Sequence, residues 1–310
     1  MPSIQIKRGA EIYPYVVDAI MPMGKGGMSQ ILIAHEKNQQ LKVAIKISNS
    51  DHAEALRSEA TILQKLDHPN VIKILPSPVA SKYGLPMMRA LNIKGQPWYF
   101  AMEYLDGLPL SSYVRGSKGL PEDVVVSIIE KMALALEYIH QKQIIHMDMK
   151  TENIVLRYPL KKGQLIDPVL IDFGVAAKAK DLQSDHGSLA FMPPERVQNV
   201  DGQSAPEIAR IDPPKVDVYG LGVLLYETMT GRLPFGGRDK KGLTTAILNH
   251  VFTRPRVVRT DISERMEGLI LDMIDADPVR RPLPADIVTE TRKFSNRLTH
   301  IVSDIPILHH

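Results

Sequence analysis

The first half of the N-terminal region alternates apolar and polar positions with the period of strands. Tyr15 to Ile20 and Ile31 to Ala34 are apolar runs separated by a glycine-rich turn, the pattern of a hairpin. Leu41 to Ile47 alternates, with Val43, Ile45 and Ile47 on one face and Ala44 and Lys46 on the other. The period then changes. From Asp51 to Leu66, residues Leu56, Ile62, Leu63 and Leu66 recur at helical spacing, and Asp51 and Glu54 are placed for a capping box. Glu59 lies on the apolar stripe, whereas Glu54 lies on the polar side with Ser58 and Thr61. His68-Pro69-Asn70-Val71 ends this helix and starts another strand. Pro76 to Pro97 predicts an extended loop or hairpin, and Trp98 to Met102 a buried strand.

Beyond Glu103-Tyr104-Leu105-Asp106-Gly107 the pattern becomes mainly helical. Pro121 to Gln141 carries Val125, Ile128, Ile129, Met132, Leu136 and Ile139 at helical spacing. Ile154 to Leu156 and Val169 to Ile171 are short strands, joined by a long loop from Tyr158 to Pro168. Further helices are expected from Asp217 to Thr230, Lys241 to His250, Ser263 to Ala276 and Pro284 to about His300, with Gln198 to Pro214 as an insertion. The chain therefore reads as α+β: a small β-rich part with one helix, then a larger, mainly helical part. No internal repeat or long low-complexity tail interrupts it.

Composition narrows the class. The chain has 310 residues, 44% hydrophobic and 24% charged, which fits a soluble globular protein with a sizeable core. A net charge of +3 gives no footing for a nucleic-acid partner. With no Cys there is no disulfide, thiolate metal site or thiol nucleophile, which fits a cytoplasmic location. No apolar run is long enough to cross a bilayer, and Met1-Pro2-Ser3-Ile4 lacks the segments of a signal peptide.

The chemistry concentrates in His146-Met147-Asp148-Met149-Lys150-Thr151-Glu152-Asn153 and, after an apolar run, Asp172-Phe173-Gly174. Phosphoryl transfer needs a base at the attacking hydroxyl, a cation near the γ-phosphate and oxygen ligands for magnesium. Asp148 can be the base, Lys150 the cation, and Asn153 and Asp172 the metal ligands. The pattern resembles the catalytic loop and metal-binding triplet of protein kinases, H-R-D-L-x-x-x-N followed by D-F-G, with Met147 where most members carry Arg. Met23-Gly24-Lys25-Gly26-Gly27-Met28-Ser29-Gln30-Ile31 resembles the family's glycine-rich loop. Gly24 and Gly26 are matched there, and Ser29 takes the third Gly position. Val43 to Lys46 resembles its V-A-I-K strand.

The resemblance, to bacterial eukaryotic-type (Hanks-type) Ser/Thr kinases above all, extends from about residue 12 to 295. It implies a bilobal fold, with a nucleotide-binding N-lobe over 1–106 and a catalytic, substrate-binding C-lobe over 107–310. It implies ATP and Mg²⁺ as cofactors and a protein as substrate. Lys46 would reach the phosphates, paired with Glu59 and not Glu54. Met23, Gly24, Gly26, Gly27, Ser29, Ile31, Ala44, Met102, Glu103, Leu105, Val155 and Ile171 would receive the nucleotide. By the same resemblance, His146 would pack under the metal-binding segment and Asp217 would support the catalytic loop. Gly187 to Glu195 resembles the end of the activation segment, with Ser188 facing Asp148 and Lys150, and Glu195 pairing with Arg281. A pseudokinase scaffold and a small-molecule kinase are the rival readings. Retention of every metal and phosphate residue opposes the first, and the Pro194-Glu195 and Arg281 elements oppose the second. Met147 cannot help bind an activation-segment phosphate, so the kinase is expected to work without one, unless Lys178 or Lys180 substitutes.

Overall fold

The computed structural model describes residues 6–21, 29–39, 41–76, 85–161, 164–178, 187–200 and 212–295. They form two units, one running to Leu105 with Asp172–Gly174 added, the other taking Asp106–Ile171 and the chain from Val175 onward. The expected positions Met23, Gly24, Gly26 and Gly27 lie outside the described residues, as do Lys180 and Ser184.

The first unit is an antiparallel sheet with one helix. Its strands are β1 (Glu11–Ile12), β2 (Tyr15–Ile20), β3 (Gln30–Glu36), β4 (Lys42–Ser48), β5 (Ile74–Leu75), β6 (Met88–Arg89) and β7 (Trp98–Glu103). They run in the order β1-β2-β3-β4-β7-β5, and β6 also pairs with β7. Register divides the side chains. Leu32, Ile45 and Ala101 are cross-strand partners on one face, and with Val43, Ile47 and Tyr99 they form a core closed by Ile6, Ile12, Tyr15 and Val17. The opposite face holds Ile31, Lys46 and Phe100 in one row and Ile33, Ala44 and Met102 in the next. The segment expected as a loop or hairpin turns back as the β6–β7 hairpin, which places Ala90 and Ile93 in the same core.

Helix α1 (Ala53–Leu63) buries Leu56, Glu59, Ala60 and Leu63, a single stripe. The expected capping box is not formed. A 3₁₀ turn over Ser50–His52 precedes the helix, so His52 occupies the N-cap and Asp51 sits too early to accept from the first turn. The strand expected at His68–Val71 begins only at Ile74. The His68 ring nitrogen accepts the Asn70 N–H at 3.1 Å, and this side-chain bond closes a turn instead.

The second unit is mainly helical. It contains α2 (Ser111–Val114), α3 (Glu122–Gln141), β8 (Ile144–Ile145), β9 (Ile154–Leu156), β10 (Pro168–Leu170), β11 (Ala177–Lys178), α4 (Pro194–Val200), α5 (Pro213–Thr230), α6 (Lys240–Leu248), α7 (Pro255–Val258), α8 (Glu264–Met273) and α9 (Pro284–Ser295). Helix α5 is buried along every residue from Lys215 to Thr230, as an all-round apolar helix must be. It packs on α3 and α8, and α3 packs on α9. Gly231, at φ 75°, ends α5 by donating to the Glu227 carbonyl, a left-handed cap suited to glycine. Ser263 caps α8 and Asp239 caps α6 through their side-chain oxygens. Among the described residues no helix is long and apolar enough to cross a membrane.

Two small antiparallel ladders, β9–β10 and β8–β11, frame the chemistry-bearing loop. Strand β8 ends one residue before His146 and β9 begins one residue after Asn153. The loop is thus held at both ends by backbone hydrogen bonds.

Candidate active site

In the first unit, Lys46 projects from β4 and meets Glu59 from α1. Its Nζ donates to both Glu59 oxygens at 2.7 Å and to Asp172 Oδ1 at 2.8 Å. Lys46 and Glu59 are buried, whereas the Asp172 side chain is half exposed. Burial works against the Lys46 charge, but Glu59 and Asp172 outweigh it and hold its pKa above the ordinary value. Burial pushes Glu59 up, and Asp172 adds to that against the pull of Lys46. One ammonium is thus shared between two acidic side chains. Glu54, the rejected alternative, instead lies near Arg57 on the exposed side of α1 at 3.9 Å. Ala44 and Met102, directly paired across β4–β7, and Ile31, paired with Lys46, share the Lys46 face, and Ser29 lies just before β3. The Glu103 N–H donates to the Lys73 carbonyl at 2.9 Å, so an adenine edge meeting Glu103 would have to use its carbonyl. Leu105 follows, half buried.

In the second unit, Asp148 is buried and held by three groups. Lys150 Nζ donates to its Oδ2, Asn153 Nδ2 to the same oxygen at 3.1 Å, and the Ser188 N–H to its Oδ1 at 2.8 Å. Lys150 Nζ also donates to Ser188 Oγ at 3.1 Å. Burial alone would raise the Asp148 pKa, but the Lys150 hydrogen bond and charge and the Ser188 N–H hold it below the ordinary carboxylate value. Asn153 Nδ2 donates to the Asp148 carbonyl as well, at 2.9 Å, which leaves its amide oxygen as the end that can accept or ligate. Val155 on β9 and Ile171 after β10 are half buried.

Beneath Asp148 the loop is fixed by backbone hydrogen bonds. Asp217, on α5, accepts the His146 N–H at 2.8 Å and the Met147 N–H at 2.7 Å. His140, at the end of α3, lies 2.8 Å from the same carboxylate. His146 is fully buried, with Nε2 3.1 Å from the Ile171 carbonyl, a structural placement. Met147 at φ 68° and Asp172 at φ 61° adopt the left-handed region, which costs a non-glycine residue about 1–2 kcal/mol. Hydrogen bonds on either side of Met147 offset that strain. Glu195 and Arg281 form the expected pair, and it is bidentate, at 2.6 and 2.8 Å, with the Arg281 side chain fully buried.

Asp172 in the first unit offers a carboxylate, and Asn153 in the second an amide oxygen, each by itself an oxygen donor of the type that Mg²⁺ takes alongside phosphate oxygens and water. Among the described residues no cluster of three or more His, Cys, Asp or Glu could hold a metal by itself. Sequence reasoning missed Arg196, whose guanidinium turns inward to the Met147 carbonyl at 3.3 Å, and His140. Neither belongs to a motif. Arg254 pairs with Glu267 and Arg256 with Glu264, so their charge is used within the chain.

A family model described as protein kinase domain matches residues 17–291. Serine/threonine-protein kinase PrkC of Bacillus subtilis is 28% identical over 283 residues, covering 86% of this chain and 39% of the relative. Serine/threonine-protein kinase pkn3 of Myxococcus xanthus is 29% identical over 292 residues, covering 88% and 48%. Serine/threonine-protein kinase PknD of Chlamydia abortus is 28% identical over 295 residues, covering 85% and 29%. The chain spans less than half the length of these relatives.

Proposed function

The chain belongs to the protein kinase family, and from that premise we propose that it is a serine/threonine protein kinase that transfers the γ-phosphoryl group of ATP to a protein hydroxyl. The observation that carries this reading is the Asp148 carboxylate, kept ionised by Lys150 and the Ser188 N–H. Such a group accepts the proton of an attacking hydroxyl as the new O–P bond forms. The bond from the γ-phosphorus to the bridging oxygen breaks, and ADP leaves with that electron pair. Lys150 offsets the charge that develops on the transferred group. Lys46, kept cationic by Glu59, grips the α- and β-phosphates. Asn153 and Asp172 would hold Mg²⁺, which when bound neutralises phosphate charge. Ile31, Ala44, Met102, Val155 and Ile171 supply apolar surface for the base, and Glu103 and Leu105 backbone groups for its edge. The N-lobe and C-lobe roles divide near residue 106.

The reading extends to regulation. Met147 is buried and uncharged, so it offers nothing to a phosphate on the activation segment. Transfer is therefore independent of activation-segment phosphorylation.

Incubation with labelled ATP, Mg²⁺ and a generic basic protein tests the activity. Labelled phosphoserine or phosphothreonine is the expected product, and Asp148→Asn should remove most of it while nucleotide binding persists. Nucleotide binding without transfer by the wild type would place the chain among scaffolds instead.

A further inference from the structure

Met147, the residue before Asp148, is gripped at both of its backbone polar groups, which belong to the two peptides that flank it. The Met147 N–H donates to Asp217 Oδ1 at 2.7 Å, and the Met147 carbonyl accepts from Arg196 Nη1 at 3.3 Å. Arg196 is adjacent to Glu195 on α4, yet their side chains diverge. Glu195 goes to Arg281, whereas Arg196 is a buried residue, 5% exposed, that turns its guanidinium to the catalytic loop. Gly187 completes the arrangement. A Cβ there would lie 2.9 Å from the Met147 carbonyl oxygen and 3.7 Å from Arg196 Nη1, at φ +124°. Only glycine permits this approach. The next residue, Ser188, donates its N–H to Asp148 Oδ1 at 2.8 Å. The two backbone segments that orient Asp148, its own loop and the Gly187–Ser188 segment, thus meet at one carbonyl capped by one guanidinium.

We propose that Arg196 is a positioning residue for Asp148, a permanent cation that fixes the catalytic loop against the Gly187–Ser188 segment. This rests on the reading of Asp148 as the base. A guanidinium suits the task because it stays charged and presents its donors in a rigid planar fork. Because the charge is built into α4, the register of loop and segment needs no phosphate to complete it, in a chain whose residue 147 is Met. Lysine would keep the charge but lose the fork.

The test compares wild type, Arg196→Met, Arg196→Lys and Gly187→Ala. For each, kcat, KM for ATP and for a peptide substrate, the Kd of Mg-ATP by titration without turnover, and the melting temperature are measured. Misplacing a base costs turnover and not nucleotide affinity, so Arg196→Met and Gly187→Ala should each lower kcat about tenfold to a hundredfold, with the Kd of Mg-ATP held within about twofold. Arg196→Lys should recover part of the loss. A folded Arg196→Met with wild-type kcat overturns the proposal. So does a parallel fall of kcat, Mg-ATP affinity and melting temperature that lysine does not relieve, since that marks a purely structural residue. Should Arg196→Met fail to fold, Gly187→Ala decides, because it removes no group and adds one methyl against the Met147 carbonyl; unchanged kcat there overturns the proposal. A wild type that binds Mg-ATP but transfers nothing removes the base reading and the positioning role with it, an outcome visible before any variant is assayed.

Discussion

Asp217 holds Met147 in a left-handed conformation by accepting its N–H at 2.7 Å through a carboxylate buried in the central helix of the second unit. The same carboxylate accepts the N–H of His146, so one side chain fixes two consecutive peptides of the loop that carries Asp148. Each buried donor left unsatisfied costs about 1–3 kcal/mol, against a total domain stability of about 5–15 kcal/mol. Asp217→Ala should therefore lower stability by several kcal/mol, with Asp217→Asn milder because one acceptor oxygen remains. Urea denaturation of both variants measures this. Equal midpoints for Asp217→Ala and wild type would show that the loop finds its conformation without the carboxylate.

Glu195 and Arg281 invite a double-mutant cycle. Arg281 also donates to the Asp275 and Lys215 carbonyls and lies over the Tyr219 ring, so its position persists when Glu195 changes. Glu195→Gln then leaves a buried guanidinium uncompensated, a loss of about 3–5 kcal/mol. Replacing both, as Glu195→Leu with Arg281→Met, should cost less than the two single losses added, because no charge remains buried. Strict additivity in thermal or urea unfolding would deny the coupling.

Much of this architecture was legible in the chain because the periodicities are clean. The alternation from Val43 to Ile47 assigned Lys46 to the face opposite the core, and the helical stripe through Leu56 and Leu63 selected Glu59 over Glu54. What was not legible turned on local competition. Asp51 and Glu54 have the spacing of a capping box, but the 3₁₀ turn before α1 displaces them by a residue. The short strands β8 and β11 have no periodicity of their own and exist because they pair with each other across 30 residues of chain or more. Arg196 could not be foreseen, because the sequence of α4 does not reveal which of two adjacent charged side chains turns inward.

The Lys46 cluster makes a separable claim about nucleotide. Lys46→Met should lower activity by loosening phosphate positioning. Asp172→Ala should abolish the Mg²⁺-dependent part of ATP binding if Asp172 is the metal ligand proposed above. Titration of each variant with ATP, with and without Mg²⁺, reads the difference. Unchanged Mg-ATP affinity in Asp172→Ala would show that the metal assignment is misplaced.

The proposed independence from activation-segment phosphorylation has a direct test. Ser184, outside the described residues, and Ser188 are the hydroxyls between Val175 and Met192 that could accept phosphate. Ser188 is already engaged by Lys150 and Asp148, which leaves Ser184. Phosphatase-treated enzyme, shown by mass to be bare at both, should keep its initial rate, and Ser184→Ala should match wild type. A large loss in both experiments would make a phosphate at Ser184 a requirement.

The pH profile tests what keeps Asp148 ionised. Burial pushes its pKa up, and the Lys150 and Ser188 contacts push it further down, to a net position below the ordinary 3.8. The group is deprotonated above that value, so wild-type kcat/KM should show no acid limb from Asp148 until pH falls below the usual carboxylate range. The stability it contributes has the same sign: it is present above 3.8 and lost as pH falls through the depressed folded-state value. Lys150→Met removes the hydrogen bond and the charge that oppose burial, so the acid limb should move to higher pH. That shift is distinct from the lower maximal rate expected when the cation near the γ-phosphoryl is lost, because a scale factor leaves the shape of the profile unchanged. Measuring kcat/KM from pH 8 downward in both enzymes, over the range in which they stay folded, separates the effects. Superimposable profiles after normalisation would mean that Lys150 does not set the ionisation of Asp148.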